Sequence, residues 1–145
     1  MIDSQLIQWG IIGPGRIASQ VIKDFPYVPD AQALAVASRS IARAQTFASE
    51  HGLARAYGSY QEIMNDPDVD AVYISTPHPQ HHAIALAAIA AGKAVLVEKT
   101  FTATVAGAEQ IIAAAHRHEV FAMEAMWTRF QPAIVAARAL VDDGA

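Results

Sequence analysis

The 145-residue chain contains no cysteine. Disulfides, thiolate metal sites, iron–sulfur clusters and cysteine nucleophiles are therefore excluded. It also lacks a surplus of positive charge. Ten Lys and Arg stand against 14 Asp and Glu, for a formal net charge of −4 and an isoelectric point near 5.8. Bulk attraction to nucleic acid or to an anionic membrane is not expected, and any anion site must be local. Long apolar runs are missing too. The longest in the C-terminal half, Ala83 to Ala91, is too short to span a bilayer. Met1 to Gln5 lacks a basic start followed by an apolar core, so no secretory signal is read there and a cytoplasmic location is expected. Charged residues make up only 17% and hydrophobic ones 53%, at a mean hydropathy of +0.22. That composition supports a packed core and argues against disorder. Alanine accounts for 31 residues, which favours closely packed helices over an all-β fold.

Short β-like runs alternate with helical ones. Gln8–Ile12, Ala31–Ser38, Arg55–Tyr57, Asp70–Ser75, Ala94–Glu98 and Val120–Glu124 read as strands. Between them, helices are predicted over Arg16–Phe25, from Ser40 to His51, in a short piece begun by Ser59 and Glu62, over Gln80–Ala91, and from Thr104 through Arg117. A last helix starts at Pro132 and ends near Asp142. Ser40 is placed as an N-cap and Gly52 as a stop, Ser59 and Glu62 have capping-box spacing, and Asn65-Asp66-Pro67 closes that short helix. Strands separated by helices imply right-handed βαβ crossovers and a mostly parallel sheet. The predicted fold is α/β, a doubly wound parallel sheet in the order 3-2-1-4-5-6, forming one domain over residues 1–145. No repeat, low-complexity tract or linker interrupts it.

Five places carry chemistry. Gly13-Pro14-Gly15-Arg16-Ile17-Ala18 matches G-x-G-x-x-A between a strand and a helix. Gly13 permits the tight turn, Gly15 lets a pyrophosphate approach the backbone, and Ala18 lets the helix pack closely on the strand. The end of the second strand carries Ser38, Arg39 and Ser40, with Arg43 one turn further on, where an NAD site usually places an acidic residue. A hydroxyl and two guanidiniums suit a 2′-phosphate, which points to NADP rather than NAD. The end of the fourth strand reads Ser75-Thr76-Pro77-His78-Pro79-Gln80-His81-His82. It is expected to border the nicotinamide. The spacing of His78, His81 and His82 could suggest a metal, but no obvious further ligand group lies nearby in sequence, so no metal site is expected, and His82 reads as a solvated helix-face residue. Glu98-Lys99 at the end of the fifth strand offers a lysine able to donate to a substrate oxygen. Trp127 and Arg129 follow the sixth strand, where a ring wall and an anion-binding cation are useful, although a core tryptophan with a surface arginine fits the spacing equally.

These pieces together resemble the Gfo/Idh/MocA oxidoreductases. The marks are Trp9 to Ala18, Ala37 to Ser40, Ser75-Thr76-Pro77 with His81, Glu98-Lys99, and above all Glu124-Ala125-Met126-Trp127-Thr128-Arg129-Phe130. The last is similar to the branch that holds dihydrodiol and NADP-dependent xylose dehydrogenases. The resemblance implies a Rossmann fold. It implies Gly13, Pro14, Gly15, Arg16 and Ile17 at the pyrophosphate, and Ser38, Arg39 and Arg43 at the 2′-phosphate. Ser75, Thr76, Pro77, His78 and His81 would lie beside the nicotinamide, and Glu98 at its ribose. Lys99 would be the catalytic lysine, with Trp127 and Arg129 lining the cleft. The reaction implied is hydride transfer between nicotinamide and a sugar, polyol or cyclic diol. The family usually reads Glu-Lys-Pro where this chain has Thr100, and Pro-Asn where it has Pro77-His78. Loss of the proline is expected to leave the backbone at Lys99 less fixed. Family members continue into an α+β domain that supplies most of the substrate pocket and usually the dimer interface. The chain is therefore expected to be an incomplete form, inactive alone and prone to self-association through apolar surface near Trp127, Phe130 and Ile134. Two other readings fit parts of the pattern. One is a stand-alone NADP-binding redox-sensing or regulatory module, which has no use for Lys99, Trp127 or Arg129. The other is a methyltransferase, which leaves Arg39 and Arg43 without a purpose.

Overall fold

The apolar strand segments pair into a single parallel sheet. A computed structural model describes residues 6–144; the reading of Met1 to Gln5 lies outside the described residues. The strands are β1 (Ile7–Ile12), β2 (Ala31–Ala37), β3 (Arg55–Tyr57), β4 (Ala71–Ile74), β5 (Ala94–Val97) and β6 (Ala122–Glu124). Their order is β3-β2-β1-β4-β5-β6, as the alternation of strands and helices predicts. The helices are α1 (Arg16–Val21), α2 (Ile41–His51), α3 (Tyr60–Met64), α4 (His81–Ala90), α5 (Val105–His118) and α6 (Pro132–Asp142).

Register decides which side chains share a face. Ile11, Tyr73 and Leu96 sit side by side on β1, β4 and β5, and so do Ile12, Ile74 and Val97 on the opposite face. The second row packs with Ile63 of α3, Ile84 and Ile89 of α4 and Ile111 of α5. The first row packs with Ala18 of α1 and Ala44 and Phe47 of α2. Both sheet faces are thus covered, as a buried parallel sheet requires. No residue of α6 is buried.

Local chemistry explains most boundaries. The Ser40 and Thr104 side chains accept from the backbone N–H groups of Arg43 and Gly107 and so cap α2 and α5. Ser59 and Glu62 form a reciprocal capping box on α3. Gly52 ends α2 in the left-handed region, at φ 70°. The first helix is shorter than expected. It stops at Val21, and a 3-10 segment, Ile22–Tyr27, continues to the loop. Pro26 has no N–H to bond back to the preceding turn, so the α-helical ladder gives way there. Two further 3-10 turns lie at His78–Gln80, which takes in the first residue of the helix predicted from Gln80, and at Trp127–Phe130 after β6.

One polar network braces the far edge of the sheet. The buried carboxylate of Asp66 accepts from Arg55 at 2.7 Å and from the Tyr57 hydroxyl at 2.8 Å. Lys93 Nζ, also buried, donates to the carbonyls of Asp66 and Val69 at 2.8 and 2.7 Å. Every member of this network has a partner, which is what makes its burial tolerable.

Candidate functional site

The carboxyl ends of β2 and β4 meet the turn after β1. Gly13 holds φ at +95°, and a Cβ there would stand 2.9 Å from Thr76 Cγ2. Only glycine fits both constraints. Its N–H donates to the Ala37 carbonyl, and its own carbonyl accepts from Ser75 Oγ at 2.9 Å. Gly15 differs. Its backbone is extended, and an added Cβ would approach nothing closer than the Gly13 oxygen at 4.0 Å. Its missing side chain is not demanded by the protein, and the space in front of it lies open at the start of α1.

One cleft meets this turn, and a second lies against α1. The first, of about 920 Å³, is lined by Gly13, Pro14, Gly15, Ser38, Arg39, Arg43, Ser75, Thr76, Pro77 and His78. The Ser38 hydroxyl accepts from the Ser40 N–H. Arg43 Nη2 donates to the Pro14 carbonyl at 3.1 Å, so one guanidinium ties α2 to the glycine turn. Thr76 Oγ1 is enclosed and has no hydrogen-bond partner. The second cleft, of about 640 Å³, opens on the other side of α1 and is lined by Ile17, Tyr73, Leu96, Glu98, Lys99, Met126, Trp127 and Phe130 among others. Lys99 is exposed at its rim. The Glu98 carboxylate accepts from the Tyr73 hydroxyl at 2.6 Å and from the Lys99 N–H at 3.1 Å. Burial, and then the bond to Glu98, push the Tyr73 phenol well above its ordinary range.

Of the sequence-predicted residues, fourteen line one cleft or the other, while Arg16, His81 and Arg129 line neither. His81 is fully buried. Its Nε2 lies 2.7 Å from the Thr76 carbonyl oxygen and its Nδ1 2.9 Å from that of Thr100. It joins the two loops that follow β4 and β5. The backbone beyond Lys99 is thus fastened at Thr100 although the proline is missing, and the Lys99–Thr100 peptide is cis. His82 is half-buried and not solvated as read, with Nε2 enclosed and unpartnered. Among the described residues no three His, Asp or Glu side chains are placed to hold a metal, and no helix is long and apolar enough to cross a membrane. Sequence reasoning missed Tyr60, which lines the first cleft, and Tyr73. The signal for Tyr60 was its place directly after the Ser59 cap. Tyr73 looked like any other apolar strand residue.

The residues fit a dinucleotide. The open approach at Gly15, the positive φ at Gly13 and the unpartnered Thr76 hydroxyl lie together at the first cleft. Comparison with known proteins agrees. The profile described as "Oxidoreductase family, NAD-binding Rossmann fold" matches residues 7–126. The trans-1,2-dihydrobenzene-1,2-diol dehydrogenase of Bos taurus is 43% identical over 140 residues, which are 95% of this chain and 42% of that protein. The chain thus spans about two-fifths of the length of the curated relatives it matches. A 3-ketoreductase from Actinomadura kijaniata, solved with NADP and TDP-benzene, superposes with a TM-score of 0.87 at 31% identity, over 95% of this chain and 42% of that one. An NAD binding oxidoreductase from Klebsiella pneumoniae gives 0.84 at 32% identity, over 95% and 39%. On its sheet order, its glycine turn and these matches, the chain belongs to the Gfo/Idh/MocA oxidoreductase family, through its NAD-binding Rossmann fold.

Proposed function

We propose that the chain is the NADP-binding half of an oxidoreductase that transfers hydride between nicotinamide and a sugar, polyol or cyclic diol. The observation that carries this reading is the placement of the two clefts. Ser38, Arg39 and Arg43 stand in one and Glu98 and Lys99 in the other, with the glycine turn and α1 between them. Gly13, Pro14, Gly15, Arg16 and Ile17 would serve the pyrophosphate, and Ser38, Arg39 and Arg43 the 2′-phosphate. Among the described residues no carboxylate lines the first cleft to repel that group. Ser75, Thr76, Pro77 and His78 would border the nicotinamide side, with His81 acting from behind them. Glu98 would hold the nicotinamide ribose, and Lys99 would donate to, or accept a proton from, the reacting oxygen. Trp127 and Arg129 would wall the cleft. The cofactor, when bound, supplies the hydride chemistry; these residues orient it and handle the proton. The dihydrodiol dehydrogenase relatives support the substrate class.

Titration of the chain with NADPH and NADH, followed by tryptophan fluorescence, tests the reading. NADPH is expected to bind at least tenfold more tightly, and Arg39→Asp to abolish the preference. Equal binding of both, or of neither, overturns it. The chain alone is expected to turn over no sugar, because positioning by a second wall is a large share of catalysis. NADP-linked oxidation of a simple sugar at an enzymatic rate would overturn that part.

A further inference from the structure

Tyr73 lies in the middle of β4 and is 1% exposed. Its neighbours on that sheet face, Ile11 and Leu96, are apolar. A hydroxyl buried there costs stability unless it is paired. Its partner is Glu98 Oε1 at 2.6 Å, a short bond of the charge-assisted kind. The other carboxylate oxygen, Oε2, accepts from the backbone N–H of Lys99. Both oxygens are therefore committed, one to a rigid strand below and one to the chain beside it. The carboxylate has one orientation, at the lip of the second cleft.

We propose that Tyr73 is a positioning residue: through its hydroxyl it fixes the Glu98 carboxylate toward the nicotinamide ribose, and so sets affinity for the nicotinamide end of the cofactor but not for the adenosine end. This rests on the reading of Glu98 given above. The phenol is well suited to the task, since its upward shift keeps it protonated, and so a donor, wherever Glu98 is charged.

The test compares NADPH with adenosine 2′,5′-bisphosphate, which reaches only the first cleft, on the wild-type chain and on Tyr73→Phe. Phenylalanine keeps the ring and removes the donor. NADPH affinity is expected to fall about tenfold, in keeping with the loss of one bond to a charged group, and bisphosphate affinity to stay within twofold. In a Glu98→Ala background, Tyr73→Phe is expected to change neither. A merely structural tyrosine would move both ligands together, or act independently of Glu98; either result overturns the proposal. So does unchanged NADPH binding by Tyr73→Phe when the wild-type chain binds both ligands, and that failure leaves the cofactor site standing. A wild-type chain that binds neither ligand overturns the cofactor site and this role with it.

Discussion

The Nδ1 atom of His81 stands 2.9 Å from the carbonyl oxygen of Thr100, and across the ring Nε2 meets Thr76. One buried side chain thus bridges two loops from neighbouring strands. Carbonyl oxygens only accept, so they need a donor once removed from water. His81→Phe fills a similar volume, and the carbonyl that accepts from the ring N–H loses its donor. It is expected to lower unfolding stability by roughly 1–3 kcal/mol, read from urea midpoints. A loss too small to measure would show that water or backbone movement replaces the ring.

The two glycines of the turn are expected to part company when each becomes alanine. Gly13→Ala meets both the positive φ and Thr76, and should cost about 2 kcal/mol or more. Gly15→Ala meets no atom closer than 4.0 Å and keeps an allowed backbone. Its melting temperature should match the wild type, while NADPH affinity falls at least tenfold because a methyl group occupies the phosphate approach. Equal stability losses in the two variants would contradict this division.

Acid should find the Asp66 network. Burial alone would raise that carboxyl. Bonds from Arg55, Tyr57 and the Asp68 N–H outweigh burial and hold it below the ordinary range. The folded chain therefore binds fewer protons there than the unfolded one. This contribution is fully present above the ordinary carboxylate value of about 4, and is lost as pH falls through the lower, folded value. Wild-type stability should drop more steeply than that of Asp66→Asn below about pH 4. Parallel curves from denaturant titrations at pH 7 and pH 3 would refute the assignment.

Apolar surface after β6 should make copies of the chain associate. Trp127, Phe130 and Val141 are 59%, 61% and 69% exposed. Patches of this kind mark contact surfaces. Sedimentation equilibrium is expected to show concentration-dependent self-association, weakened by Phe130→Ser with Val141→Ser. A clean monomer throughout would count against it.

Much of this was readable from residue order alone, for physical reasons. Strand order follows from alternating strands and helices with right-handed crossovers, and Ser40, Ser59, Thr104 and Gly52 mark helix ends through bonds that depend on residue type. The glycine turn was legible because Gly13 answers a backbone demand and Gly15 completes the G-x-G-x-x-A pattern beside it. What escaped depends on register and depth. Nothing in Ala71–Ile74 distinguishes Tyr73 until β4 is set beside β5 and Glu98 comes within reach. His81 looked like a cleft residue because its loop lines the cleft, whereas the first turn of α4 directs its ring inward. Pro26 stands just past the helix predicted over Arg16–Phe25, but its effect reaches back a full turn, to Val21.

The ladder between β1 and β4 consists of four residue pairs, and it is the seam between two continuous stretches of chain. Everything lining the Ser38–Arg43 end of the first cleft comes from before that seam, and everything at the Glu98–Trp127 end of the second from after it, apart from the residues of α1 and its turn. On the proposed roles, cofactor preference and reaction chemistry would be written in separate paragraphs of the polypeptide. Exchange of the stretch after β4 between relatives would then change what is oxidised while leaving untouched which dinucleotide is chosen.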